Sequence, residues 1–143
     1  MSRFAIDAPT LLHILAADLT PHQNHQLVAP SVIRSHILDL LLAAVARGEM
    51  SERLARRLLN RVGETKMRLL GDRVSRSTAW QIAREHGWDT TREAEYIAVT
   101  KLQADALVTI DPTMKALARG LVPLASLQVL TDNGGDTDAP NET

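Results

Sequence analysis

The chain has 143 residues, 45 % of them hydrophobic, which suits one compact domain with a real core. Its formal net charge of −1 gives no global attraction to nucleic acid or to a membrane, and its 3 % aromatic content weakens base stacking as a way to hold RNA. It has no cysteine, which excludes disulfides, thiolate-bound zinc and cysteine nucleophiles.

In chain order, "RFAID" (3–7) reads as a short strand and "APTLLHILAAD" (8–18) as a helix. This opening stretch holds no long apolar run and no small-residue cleavage site, and nothing in the chain is long enough to span a bilayer. A soluble cytoplasmic protein is expected. "TPHQNHQ" (20–26) is a loop whose His22 and His25 read as ordinary surface histidines, and "LVA" (27–29) is a second strand. "SVIRSHILDLLLAAVARG" (31–48) is a helix, with Ser31 as its cap and Gly48 as its stop. Ile33, Ile37, Leu40 and Leu41 form its apolar stripe, which His36 and Asp39 interrupt.

"SERLARRLLNRV" (51–62) is a helix begun by Ser51, "KMRLLG" (66–71) a third strand, and "SRSTAWQIAREHG" (75–87) a helix closed by Gly87. Trp80 falls near Ala83 and is expected in the core. Residues 47–76 carry nine basic groups against four acids, a strip that suits RNA phosphates or, as readily, a solvated face with pairs such as Glu52 and Arg56. "TREAEYIAVTKLQ" (91–103) is a helix, "DALVTI" (105–110) the clearest strand, "PTMKALARG" (112–120) a short helix, and "VPLASLQVL" (122–130) holds a last strand. From Thr131, "TDNGGDTDAPNET" has four acids and no base and is expected to be a disordered tail (131–143) behind a single domain (1–130).

Alternating strands and helices imply a central parallel sheet of four or five strands with helices on both faces. In such sheets function gathers beyond the carboxyl ends of the strands, where strand order reverses. Asp7 and Asp111 each end a strand, and Glu93 lies in the first turn of a helix. Each has a purely structural reading. Asp is a favoured N-cap, the sequences "DAP" and "DP" place proline where a helix tolerates it, and Thr90 with Glu93 has capping-box spacing. Together they say more. Carboxylates converging on one rim repel, a divalent cation removes that cost, and all-oxygen ligation suits Mg2+ or Mn2+.

These residues bring in a resemblance. "FAIDAPTLL", "VAPSVIRSHILDLL" and "AREHGWDTTREAEYIAVTKLQADALVTIDP", in this α/β order, resemble the PIN domains, and most closely the VapC toxins of bacterial VapBC toxin–antitoxin pairs. The likeness runs from Arg3 to about Leu130. It implies a three-layer PIN-like fold and an endoribonuclease dependent on Mg2+ or Mn2+. It also implies a cognate antitoxin partner and a homodimer, the latter in keeping with the apolar excess on the first two long helices. By the same resemblance Asp7, Glu93 and Asp111 are the catalytic and metal-binding acids, with the Thr109 hydroxyl orienting a ligand or the substrate phosphate. The family's second acid falls on His36, which can serve as a neutral imidazole ligand, with Asp39 on the same helix face supplying an oxygen. His36 also has a plain reading as a hydrogen-bonded, half-buried histidine, and Asp39, if buried, needs Arg34 or another arginine. The alternative function is a catalytically degenerate PIN-like domain that binds RNA or a protein partner.

Overall fold

In the computed structural model, the described residues are 2–131, so the acidic segment read as a tail lies outside them except for Thr131. Among the described residues five strands are interleaved with seven helices: β1 (Ser2–Ile6), α1 (Ala8–Ala16), β2 (His25–Pro30), α2 (Ile33–Ala46), α3 (Glu52–Glu64), β3 (Arg68–Leu70), α4 (Arg73–His86), α5 (Arg92–Gln103), β4 (Ala106–Val108), α6 (Pro112–Ala118), β5 (Leu124–Ala125) and α7 (Leu127–Thr131). All strand pairs are parallel, in the order β3-β2-β1-β4-β5. The expected three-layer α/β fold is present.

Strand β1 is central because its inner residues are apolar throughout. Phe4, Ala5 and Ile6 are buried, and they pair with Leu27 and Val28 of β2 on one side and with Ala106, Leu107 and Val108 of β4 on the other. A strand buried on both faces reads as a continuous apolar run, as these do. Helix α5 packs on β1, β2 and β4, and α4 packs on α5, while α1, α2 and α3 pack on one another. Moving outward from β1, the chain builds β2 and β3 on one side, then crosses to β4 and β5 on the other. The carboxyl ends of β1 and β4 are therefore neighbours at the point where strand order reverses, the usual place for a site in such a sheet.

Local chemistry sets most element ends. The carboxylates of Asp7, Asp72 and Asp111 and the Ser51 hydroxyl accept from backbone N–H groups in the first turns of α1, α4, α6 and α3. Gly87 ends α4 in the left-handed region at φ 68°, where a side chain would be strained. Two sequence-based expectations need correction, and one element was unforeseen. Ser31 does not cap α2. Its amide and hydroxyl both donate to the Leu70 carbonyl, tying the end of β2 to β3, and α2 starts at Ile33 with no side-chain cap. The last strand expected within 122–130 is present as β5, and the helical turn α7 after it had no counterpart in the sequence reading. Trp80 is 64 % exposed, because the buried face of α4 runs through Ser75, Ala79, Ile82 and Ala83, and Trp80 projects to its side. No helix among the described residues is long and apolar enough to cross a membrane.

Candidate active site

Asp7 stands at the end of β1 and begins α1, and it is 1 % exposed. Its Oδ1 accepts from the Thr10 amide at 3.2 Å and from the Thr10 hydroxyl, and its Oδ2 accepts from the Thr109 hydroxyl at 2.6 Å. Those hydroxyls are oriented in turn by the segment after β4. Thr10 Oγ1 accepts from the Ile110 amide at 2.9 Å, and Thr109 Oγ1 accepts from the Asp111 amide at 3.0 Å. Each threonine thus takes a hydrogen from the backbone and gives one to the carboxylate. Burial pushes the Asp7 carboxyl above its ordinary range, the bonds from Thr10 and Thr109 pull it back, and the nearby Asp111 charge raises it again.

Asp111 caps α6 through Oδ1, which accepts from the Thr113 amide at 3.0 Å. Glu93 lies in the first turn of α5, half-buried. The capping box foreseen for it is absent: Thr90 Oγ1 accepts from the Arg92 amide instead, at 3.3 Å, and Thr91 holds the cap position with no side-chain bond. Glu93 is therefore not spent on helix capping.

His36, on α2, faces Tyr96 of α5, with Nδ1 3.0 Å from the phenol oxygen. Burial holds the imidazole below its ordinary pKa, as does the Arg92 charge, while Asp7, Glu93 and Asp39 pull it up. His36 thus lies within electrostatic reach of two of the three expected acids. Asp39 is exposed and pairs with Arg92 at 3.5 Å, not with Arg34. The fold joins Asp7, Thr109 and Asp111 at the carboxyl ends of β1 and β4, puts Asp7 and Glu93 within electrostatic range of His36, and leaves Asp39 exposed against Arg92. Sequence reasoning missed Thr10, Tyr96 and Arg92. Thr10 had a usable signal, a hydroxyl three residues after a capping Asp. Tyr96 had a weaker one, a phenol on an apolar helix face whose O–H must find a partner.

Among the described residues, no three His, Asp or Glu side chains stand close enough together to hold a metal ion. The donors nonetheless fit magnesium in kind. Such an ion keeps several waters and is typically held by one or two carboxylates plus substrate phosphates, not by an all-protein cage. Asp7 and Asp111 are oxygen donors whose mutual repulsion an ion would relieve.

The basic strip lies elsewhere in part. Arg61, Lys66 and Arg68 line a cavity of about 660 Å3, with His22 and His25, at the amino ends of β2 and β3, the rim opposite Asp7. Arg61 is also committed to the Leu15 carbonyl and to Asp18. Arg56 pairs with Glu52, as expected.

No family model matches the sequence, and no curated protein sequence matches it. Solved structures do. PAE2754 from Pyrobaculum aerophilum is similar at 19 % identity with a TM-score of 0.66, over 91 % of this chain and 94 % of that one. A chain of VapBC-5 from Mycobacterium tuberculosis, a member of the VapBC family of toxin–antitoxin systems, is similar at 18 % identity and TM-score 0.58, over 88 % and 98 %. A chain of VapBC2 from Rickettsia felis, solved bound to a DNA fragment from its promoter, is similar at 11 % identity and TM-score 0.53, over 87 % and 98 %. The fold is the one these proteins share, and it is the PIN-like fold that the sequence resemblance implied.

Proposed function

We propose that this chain is a metal-dependent endoribonuclease of the VapC kind, the toxin of a toxin–antitoxin pair acting in the cytoplasm. The observation that carries the reading is the placing of Asp7 and Asp111 at neighbouring strand ends where strand order reverses, linked through the Thr109 hydroxyl, which donates to Asp7 and accepts from the Asp111 amide. Asp7 and Asp111 would hold Mg2+ or Mn2+ together with waters and substrate phosphate, and Glu93, free of capping duty, would act on the ion through water. The ion, when bound, activates water and steadies charge on the phosphodiester. The chain's own part is positional. Thr109 and Thr10 fix the Asp7 carboxylate, and the Thr109 hydroxyl couples it to the Asp111 backbone. Partner binding has a natural surface on the outer side of α2. Leu38 and Leu42 stand one turn apart there, 51 % and 71 % exposed, on the face turned away from His36. That apolar pair suits an antitoxin segment or a second copy of the chain.

The test is cleavage of single-stranded RNA by purified protein with and without manganese. Metal-dependent cleavage that Asp7→Asn abolishes is expected. Cleavage no greater than that of the variant would overturn the proposal. His36 favours a second reading, a PIN-like domain that binds RNA or a protein without cutting. In that case His36→Glu produces metal binding or cleavage that the unaltered chain lacks.

A further inference from the structure

We propose that Tyr96 holds His36 as the tautomer with hydrogen on Nε2, so that the imidazole offers the rim a hydrogen-bond donor for a phosphate oxygen and not a lone pair for a metal. The tautomer stands on the contact between the buried phenol and Nδ1, and on surroundings that disfavour a charged ring. The choice of phosphate as its target rests on the function proposed above.

The inference starts from the phenol. Tyr96 is 0 % exposed, and a buried hydroxyl that fails to donate its hydrogen loses the water bond it had when unfolded. Among the described residues, the group within hydrogen-bond distance of the Tyr96 hydroxyl is His36 Nδ1, at 3.0 Å. Nδ1 is the acceptor within reach of the phenol hydrogen, so that hydrogen is satisfied when Nδ1 accepts it. A neutral imidazole that accepts at Nδ1 carries its hydrogen at Nε2.

The surroundings keep the ring neutral. His36 is half-buried, and the Arg92 cation opposes a further positive charge there. On the far edge of the ring, Nε2 has no hydrogen-bond partner among the described residues, and Asp7 and Glu93 lie within electrostatic range. A carboxylate at this position would add a ligand to a metal and repel an RNA phosphate. An Nε2–H does the reverse. It adds no ligand, and it can donate to a phosphate oxygen beside the acids Asp7 and Glu93. Tyr96 is then a positioning residue, acting on substrate only through His36.

Two measurements test this. Nitrogen-15 NMR of the His36 ring, with no metal present, should show hydrogen on Nε2 and an acceptor at Nδ1, and Tyr96→Phe should remove the signature of the accepted bond at Nδ1. Hydrogen on Nδ1 with a bare Nε2 overturns the proposal, whatever the chain does to RNA. The second is binding of a mixed-sequence single-stranded oligoribonucleotide in excess EDTA. His36→Leu should weaken binding roughly tenfold, the cost of one bond to a charged group. His36→Gln, which keeps a distal N–H donor, should bind much nearer to the unaltered chain. Equal binding by all three overturns the phosphate role while leaving the nuclease reading intact. No binding even by the unaltered chain overturns the phosphate role, while the nuclease reading is decided by the manganese cleavage assay and the tautomer by NMR.

Discussion

Asp7 is held by opposing forces. Burial disfavours its charge, and three hydrogen bonds from two threonines favour it. Burial wins, so the folded value lies above the ordinary 3.8. Between those two values the native chain keeps a proton that the unfolded chain has lost. Stability from this residue is therefore fully present below 3.8 and declines as pH rises through the folded value. Asp7→Asn should abolish that decline, visible as a pH-dependent gap between the two proteins' urea midpoints across the acid range. Thr109 shows the other side of the balance. Thr109→Val keeps the shape but removes a bond to Asp7 Oδ2 and the acceptor of the Asp111 amide. A loss of about 1–3 kcal/mol at neutral pH is expected, the usual consequence of leaving buried polar groups unmatched, and denaturant unfolding measures it.

At the scale of elements, α5 has the largest share of the core. Ala94 and every residue from Tyr96 to Thr100 are buried, since the helix lies against three strands and α4. Ile97→Ala should therefore cost about 2–5 kcal/mol, read from the unfolding midpoint. Helices and strands were legible where one signal dominated. The pattern around Leu107 and Val108 marks β4, and the caps at Ser51 and Asp111 sit where the sequence puts them. Misreadings came from tertiary competition. Ser31 has the right chemistry for a cap, but the Leu70 carbonyl across the sheet takes its hydroxyl. Trp80 has the right hydrophobicity for a core, but smaller neighbours fill the buried face of α4. The strand-end positions of Asp7 and Asp111 were legible because strand ends are. Tyr96 was not, because its meeting with His36 spans 60 residues that no local spacing encodes.

Across the whole molecule, order should fall off from the centre of the sheet. β1 is paired on both sides, whereas β3 and β5 are short edge strands with one neighbour each. Native-state hydrogen exchange should find the slowest amides in β1 and α5 and the fastest sheet amides in β3 and β5. The same centre also holds the seam between early and late parts of the chain. Thr109 reaches Asp7 across 102 positions of sequence, and the Ile110 amide reaches Thr10 across 100. Both hydroxyls already receive a hydrogen from the turn behind β4, so each must aim its own at Asp7 while that residue is charged. A proton landing on Oδ2 would confront the Thr109 hydrogen and force one of them to turn. The turn carrying Asp111 would feel it at once. Whatever neutralises or tugs on the first acid, whether proton, ion or inhibitor, therefore also resets where the last one stands.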